Sequence, residues 1–280
     1  MKPAIIPQGL KGKAMFDFLV KNEGLIMHAK KSEIKKADSA LSAPLYINEK
    51  GHLVDKAAIS ETQSTPGKIK VQVVINTTNL FDSHYDVHLP GIWKKSLNDN
   101  KKTGFYLLDS HERGFEDVIA EGCAANTQAM SWKELGITLP GSTEALIFTG
   151  VVDKDRNDFM FNQYLKGYVK QHSVGMRYVK MVTCINDEDY PVQKENWDKY
   201  IEMVSNRSDA EEEGFFWAVL EAQVVEGSAV LFASNTTTPT MDVSTYEEDT
   251  TEQEPLKGTR EQPEVKSFSD LIKETKFIKI

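Results

Sequence analysis

From residue 68 the chain changes from polar, turn-rich sequence to alternation. Lys68-Ile69-Lys70-Val71-Gln72-Val73-Val74-Ile75 sets apolar against polar positions with a period of two and is rich in β-branched residues, which predicts a strand. Apolar runs at 105–108, 145–152 and 215–225 predict further strands. Residues 168–182, dominated by Tyr, Val, Met and Thr, predict a long strand carrying two alternating apolar sets. Residues 118–125 are small and apolar. Helical readings are fewer. They cover 16–20 for a turn or two, and 92–97 after the Leu89-Pro90-Gly91 turn, with Trp93 and Leu97 packing inward. They also cover 155–169, with Phe159, Tyr164, Leu165 and Tyr168 as apolar members, and a stretch near 197–204 within the charged, loop-like residues 186–213. There is no internal repeat.

The pattern divides the chain in three. Residues 1–67 read as an N-terminal extension, with a basic run at 30–36 and a polar linker at 60–67 that ends in Pro66-Gly67. Residues 68–240 hold the strands. Beyond Asn235 the composition collapses into Thr, Glu, Asp, Pro and Gln, so residues 241–280 read as an acidic, flexible tail. Its end recovers: Ser267 can cap a helix with Asp270 at the third position, and Phe268, Leu271, Ile272, Thr275 and Ile278 follow helical spacing. That segment is either a frayed end or a short amphipathic peptide that docks on a partner.

A net charge of −9 argues against a general nucleic-acid binder. Two cysteines far apart suit a reducing compartment better than a disulfide framework, and they exclude a four-cysteine zinc module. No apolar run approaches the ~20 residues of a membrane helix, and Met1-Lys2-Pro3 opens no signal peptide. A soluble, intracellular protein is expected.

The candidate chemistry centres on Gln171-His172-Ser173-Val174-Gly175-Met176-Arg177. On an extended strand Ser173, Gly175 and Arg177 share a face: a nucleophile, a gap through which a substrate backbone can approach, and a cation for developing negative charge. Ser-x-Gly on a strand is also common packing. His172 points the opposite way, so a base must come from elsewhere. His111 follows a short strand and precedes a glycine-containing loop, where it could serve as that base or be a surface histidine. Glu221, an acid inside an apolar run, needs a partner if buried, and could orient His111, pair with Arg177 or sit on an exposed edge. The rival constellation is Asp82-x-His84-x-Asp86-x-His88, four metal-ligand types on one face if extended. A straight strand would hold His84 and His88 ~13 Å apart, too far for one tetrahedral site, and a polar turn with Asp side chains bonding local N–H groups is the alternative.

Taken in order, residues 82–91 (DSHYDVHLPG), 107–111 (LLDSH), 172–177 (HSVGMR) and 220–228 (LEAQVVEGS) resemble the prohead proteases of tailed bacteriophages, serine peptidases of capsid maturation related in fold to the herpesvirus assembly proteases. The resemblance spans roughly residues 68–240. It implies an α+β, mainly β fold: a closed antiparallel β-barrel flanked by a few helices. It implies Ser173 as nucleophile, His111 as general base, Glu221 as orienting acid, and Gly175 and Arg177 at the oxyanion and substrate region. No metal or organic cofactor is implied. The implied substrates are the scaffold, the major capsid protein and the enzyme itself, cut by a homodimer inside the assembling prohead in the host cytoplasm. The pattern carries Ser or Val two residues after its acid, whereas Glu221 is followed at that distance by Gln223, so Glu226 or a second histidine such as His84 could take the third role. Two alternatives stand beside it: an inactive scaffold or assembly protein on the same fold, and a metallohydrolase centred on residues 82–88.

Overall fold

The computed structural model of the chain describes residues 7, 9–35, 67–233, 235 and 237–246. The amphipathic segment read at 267–280 lies outside the described residues.

Eight strands form one mixed sheet: β1 (Lys68–Thr77), β2 (Asp86–His88), β3 (Phe105–Asp109), β4 (Val118–Ser131), β5 (Ser142–Asp153), β6 (Gln171–Ile185), β7 (Phe215–Val230) and β8 (Thr240–Thr245). Their lateral order is β6–β7–β3–β4–β5–β1–β8, with β2 sharing the β3 flank of β7. Most pairings are antiparallel, but β2 and β3 both run parallel to β7. The expected closed antiparallel barrel does not form. The edge strands β6 and β8 share no ladder; their approach is bridged by Gln171 with Pro239 and by the His172 N–H donating to the Thr238 carbonyl at 3.1 Å, just before β8 begins. Beyond that bridge the outer edge of β6 is met by Lys35, whose N–H donates to the Met176 carbonyl at 3.0 Å. With its edge taken up at those two points by non-strand chain, β6 cannot run a ladder to β1 or β8. The sheet stays open where Ser173 lies.

Alternation explains the inner face. Val71, Val73 and Ile75 of β1 pack with Leu107, Ile119, Phe148, Met176 and Trp217 in the main core, all at or near zero exposure. The N-terminal region is not merely peripheral. Helices α1 (Gly12–Lys21) and α2 (Glu23–Ser32) bury Phe16, Leu19 and Ile26 in that same core. Three more helices serve as connections and covers: α3 (Lys94–Asp99), α4 (Asp158–Leu165) and α5 (Pro191–Tyr200). The helix read at 155–169 is shorter because Asn157 caps it, accepting from the Met160 N–H at 3.0 Å, and Gly167 at φ 62° ends the turn that follows. The charged stretch 186–213 is more ordered than its composition suggests. It holds α5 and a last helix, α6 (Arg207–Glu213), and Trp197, Ile201 and Ala210 anchor it on Phe216 and Ala218 in a second apolar cluster. Strand β8 lies in the sequence read as tail, pairing with β1 from Thr240 to Thr245. No helix among the described residues is long and apolar enough to cross a membrane.

One irregularity matters most. Ala222 and Val224 of β7 face the main core, but so do Gly227 and Ala229: a Cβ on Gly227 would meet Ile75 and Phe148. The parity changes at a bulge, where Gly175 pairs with Glu226 but Met176 pairs with Val224. Strict alternation would bury Glu226 in the core. The bulge instead turns Glu226 and Ser228 to the opposite face, alongside Ser173 and Gly175 of β6.

Candidate active site

The site is built where β3 ends against β7. The parallel ladder closes with Asp109 opposite Ala229, and Ser110 then donates its N–H to the Ala229 carbonyl at 2.9 Å. Ser110 and His111 both take left-handed backbone conformations, with φ of 50° and 62°. Non-glycine residues adopt these at a cost of roughly 1–3 kcal/mol each, so the surroundings must hold them. Here the His111 N–H donates to Ser228 Oγ at 3.1 Å. The turn lifts the His111 imidazole onto the face that the bulge gives to Glu226.

His111 Nδ1 and Glu226 Oε1 lie 2.7 Å apart, and the Ser228 hydroxyl donates to Glu226 Oε2 at 2.7 Å. A carboxylate only accepts, so Nδ1 carries the proton, and in the neutral ring Nε2 is the basic nitrogen. All three residues are buried: His111 is 4%, Glu226 2% and Ser228 0% exposed. Ser173 stands directly across from Ser228 in the β6–β7 register, on the same face, and is 6% exposed. Side chains so opposed have Cβ atoms about 4.5–5.5 Å apart, so the candidate nucleophile faces Ser228, which itself donates to the Glu226 carboxylate.

Gly175 has a role different from the expected one. A Cβ built there would fall 1.8 Å from Glu226 Oε1 and 2.7 Å from Cδ. The missing side chain makes room for the carboxylate of the opposing strand, not for a substrate backbone. Glu221 is not part of the group. It lies half-exposed opposite Lys180, five residues before Glu226, a span of roughly 16 Å at 3.3 Å per residue. The sequence left Glu221 open between a buried acid that needs a partner and an acid on an exposed edge; its side chain points away from the core face that Ala222 and Val224 define. Arg177 is exposed, one position pair beyond Gly175 and opposite Gln223, with no ion pair among the described residues. It is not drawn into the histidine–carboxylate group. The signal for Glu226 was present in the spacing, since Glu226-x-Ser228 places a serine two residues after the acid, where Glu221 has Gln223. Ser228 itself was not singled out.

Ser173 also lines a narrow cavity of about 30 Å³, room for a water or so, at the open edge of β6. Asn76, Asp82, His84, His88 and Lys35 share that cavity, so the two rival constellations of the sequence meet there. The 82–88 segment is not one extended strand. Tyr85 has φ 60°, and Asp82 turns its carboxylate back to accept from the N–H groups of His84 (2.8 Å) and Asp86 (2.9 Å), closing a polar turn. Asp86, fully buried, pairs with Lys30 of α2 at 2.5 Å and accepts from the Tyr178 hydroxyl at 2.9 Å. Burial pushes its carboxyl up, but the Lys30 and Lys35 charges outweigh that and leave it below the usual carboxylate range. His88 is taken up by Tyr178 (2.9 Å) and Asn76 (3.1 Å), and burial holds its pKa below the ordinary value. Among the described residues no three His, Cys, Asp or Glu side chains are grouped to hold a metal ion. Both cysteines are buried, which raises the Cys123 thiol to about 12 and Cys184 above its ordinary value, so neither offers a thiolate at neutral pH.

No family model matches the chain, and no curated protein or solved structure matches it. The chemistry is therefore read from the residues and their arrangement.

His172, expected to face away from Ser173, does so. Its Nε2 takes the Tyr164 hydroxyl at 2.9 Å and its Nδ1 lies 3.2 Å from the Thr238 carbonyl. That pairing suits a neutral ring, and burial depresses its pKa to about 4.

Proposed function

We propose that this chain is a capsid-maturation serine endopeptidase of tailed bacteriophages, with Ser173 as nucleophile, His111 as general base and Glu226 as the orienting acid. The observation that carries this reading is the buried His111–Glu226 contact of 2.7 Å, with Ser173 opposite Ser228 in the β6–β7 register. In this mechanism the Ser173 hydroxyl attacks the scissile carbonyl as its proton passes to His111 Nε2. The Nδ1–H bond to Glu226 stabilises the imidazolium, which then protonates the leaving amine. A water, activated by the same imidazole, releases the acyl group from Ser173. The ordered set of four sequence blocks supports the substrate class: scaffold, major capsid protein and the chain itself, cut by a homodimer within the assembling prohead in the host cytoplasm.

The experiment is intact-mass analysis of wild type, Ser173→Ala, Glu226→Gln and Glu221→Gln chains, each co-expressed with the shell protein. The expected result is cleavage by wild type and Glu221→Gln, none by Ser173→Ala, and a loss of roughly 10³-fold or more for Glu226→Gln. If Ser173→Ala still cuts, the assignment fails. If no chain cuts and mature shells still assemble, an inactive assembly protein replaces it.

A further inference from the structure

We infer that Ser228, on the reading that Ser173 is the nucleophile, is a positioning residue that couples the base to its orienting acid through one hydroxyl. Three observations meet at this side chain. Its Oγ accepts the main-chain N–H of His111 at 3.1 Å, at a residue held in the left-handed region. Its O–H donates to Glu226 Oε2 at 2.7 Å, leaving Oε1 for His111 Nδ1. It sits opposite Ser173 in the strand register and is wholly buried, so it touches neither solvent nor a substrate chain.

A hydroxyl offers one proton and two lone pairs, and Ser228 uses both kinds of capacity within the site. The N–H of a strained turn would otherwise lie buried without this acceptor, and the second carboxylate oxygen would lack its donor. Held from both sides, the imidazole and the carboxylate keep one relative orientation. Without the hydroxyl the histidine turn can relax and the carboxylate can rotate about its own axis. Misplacement of a reacting group by about 1 Å costs on the order of 10²-fold in rate. Glu226 would also lose the donor that spreads its charge, and would bond His111 alone. The protonated ring is then held more strongly, and activity needs a higher pH.

The test uses a fluorophosphonate as probe, because it reports nucleophile activation without knowledge of the natural substrate. Full-length wild type, Ser228→Ala, Ser228→Thr and Ser173→Ala chains are labelled between pH 5 and 9. Rate and site are read by mass spectrometry. The expected result is labelling at Ser173 in wild type. In Ser228→Ala the same site should be labelled about 10- to 100-fold more slowly, with the half-maximal pH moved upward by half a unit or more. Ser228→Thr, which keeps the hydroxyl, restores both within about threefold. The low-field Nδ1 proton resonance of His111 should move in Ser228→Ala and return in Ser228→Thr. Wild-type rate, midpoint and resonance in Ser228→Ala would overturn the inference and leave the nucleophile assignment standing. Absence of Ser173 labelling in wild type would overturn that assignment, and this inference with it. A rate loss that Thr does not restore, with midpoint and resonance unmoved, would make Ser228 a packing residue only.

Discussion

Replacing Gly175 with alanine is a small change that should have a large effect. The new methyl would sit 1.8 Å from Glu226 Oε1, 2.7 Å from Cδ and 3.1 Å from Cγ, so the carboxylate must leave its place. Leaving breaks two hydrogen bonds, from His111 Nδ1 and from the Ser228 hydroxyl, each 2.7 Å long. Bonds to a charged group are worth about 1.5–3 kcal/mol each, which puts the cost near 3–6 kcal/mol. Without the clash, alanine in a strand interior should be neutral, or better than glycine by about 0.5–1 kcal/mol. The assay is urea unfolding of wild type, Gly175→Ala, Glu226→Ala and the double variant. The expected cycle is strongly non-additive: Gly175→Ala costs about 3–6 kcal/mol alone and less than about 1 kcal/mol once Glu226 is alanine. Fluorophosphonate labelling should fall with the first change. If Gly175→Ala costs as much in the Glu226→Ala background, the glycine serves some other contact. If it costs nothing in either, the close approach of carboxylate and strand is wrong.

Two further outcomes test the framework around the site. His172 titrates at about 4 in the folded chain against an ordinary 6.5, so between those values the unfolded chain binds a proton that the folded chain does not. Stability contributed by His172 is therefore present above pH 6.5 and lost as pH falls toward 4, by about 3 kcal/mol over the whole window at 1.36 kcal/mol per unit. Urea unfolding at pH 7 and pH 4 should show the stability of wild type relative to His172→Gln falling by about that amount, and a fall of less than about 1 kcal/mol refutes the assignment. Lys30→Met should destabilise by about 3–5 kcal/mol, because it leaves the buried Asp86 carboxylate without its cation, and adding Asp86→Asn should recover more than half. Equal stability of Lys30→Met and wild type would mean that the pair does not form in solution.

Local pattern by itself determined the strands on which the core rests: period-two alternation gave the start of β1, and apolar runs gave the middle of β5 and the apolar first half of β7. It did so because a side chain's face on a strand depends only on local parity. Strand parity also brought forward Ser173 and Gly175 as residues of chemical interest, and the loop after a short strand brought forward His111. What local pattern could not carry was parity across a bulge. Glu221 and Glu226 differ by an odd number of positions, and only the pairing of Gly175 with Glu226 and Met176 with Val224 shows which acid shares a face with Ser173. Gly175 was legible as a gap, but what fills the gap belongs to the opposite strand, fifty-one positions later in the chain. The Asp82–His88 row looked like a ligand set because an extended backbone was assumed. The left-handed Tyr85 breaks that backbone, and Lys30, far off in sequence, takes Asp86. Barrel closure, too, depended on what reaches the edge of β6. Lys35 and Pro239 arrive there from distant parts of the chain, and that is a matter of tertiary contact rather than of local pattern.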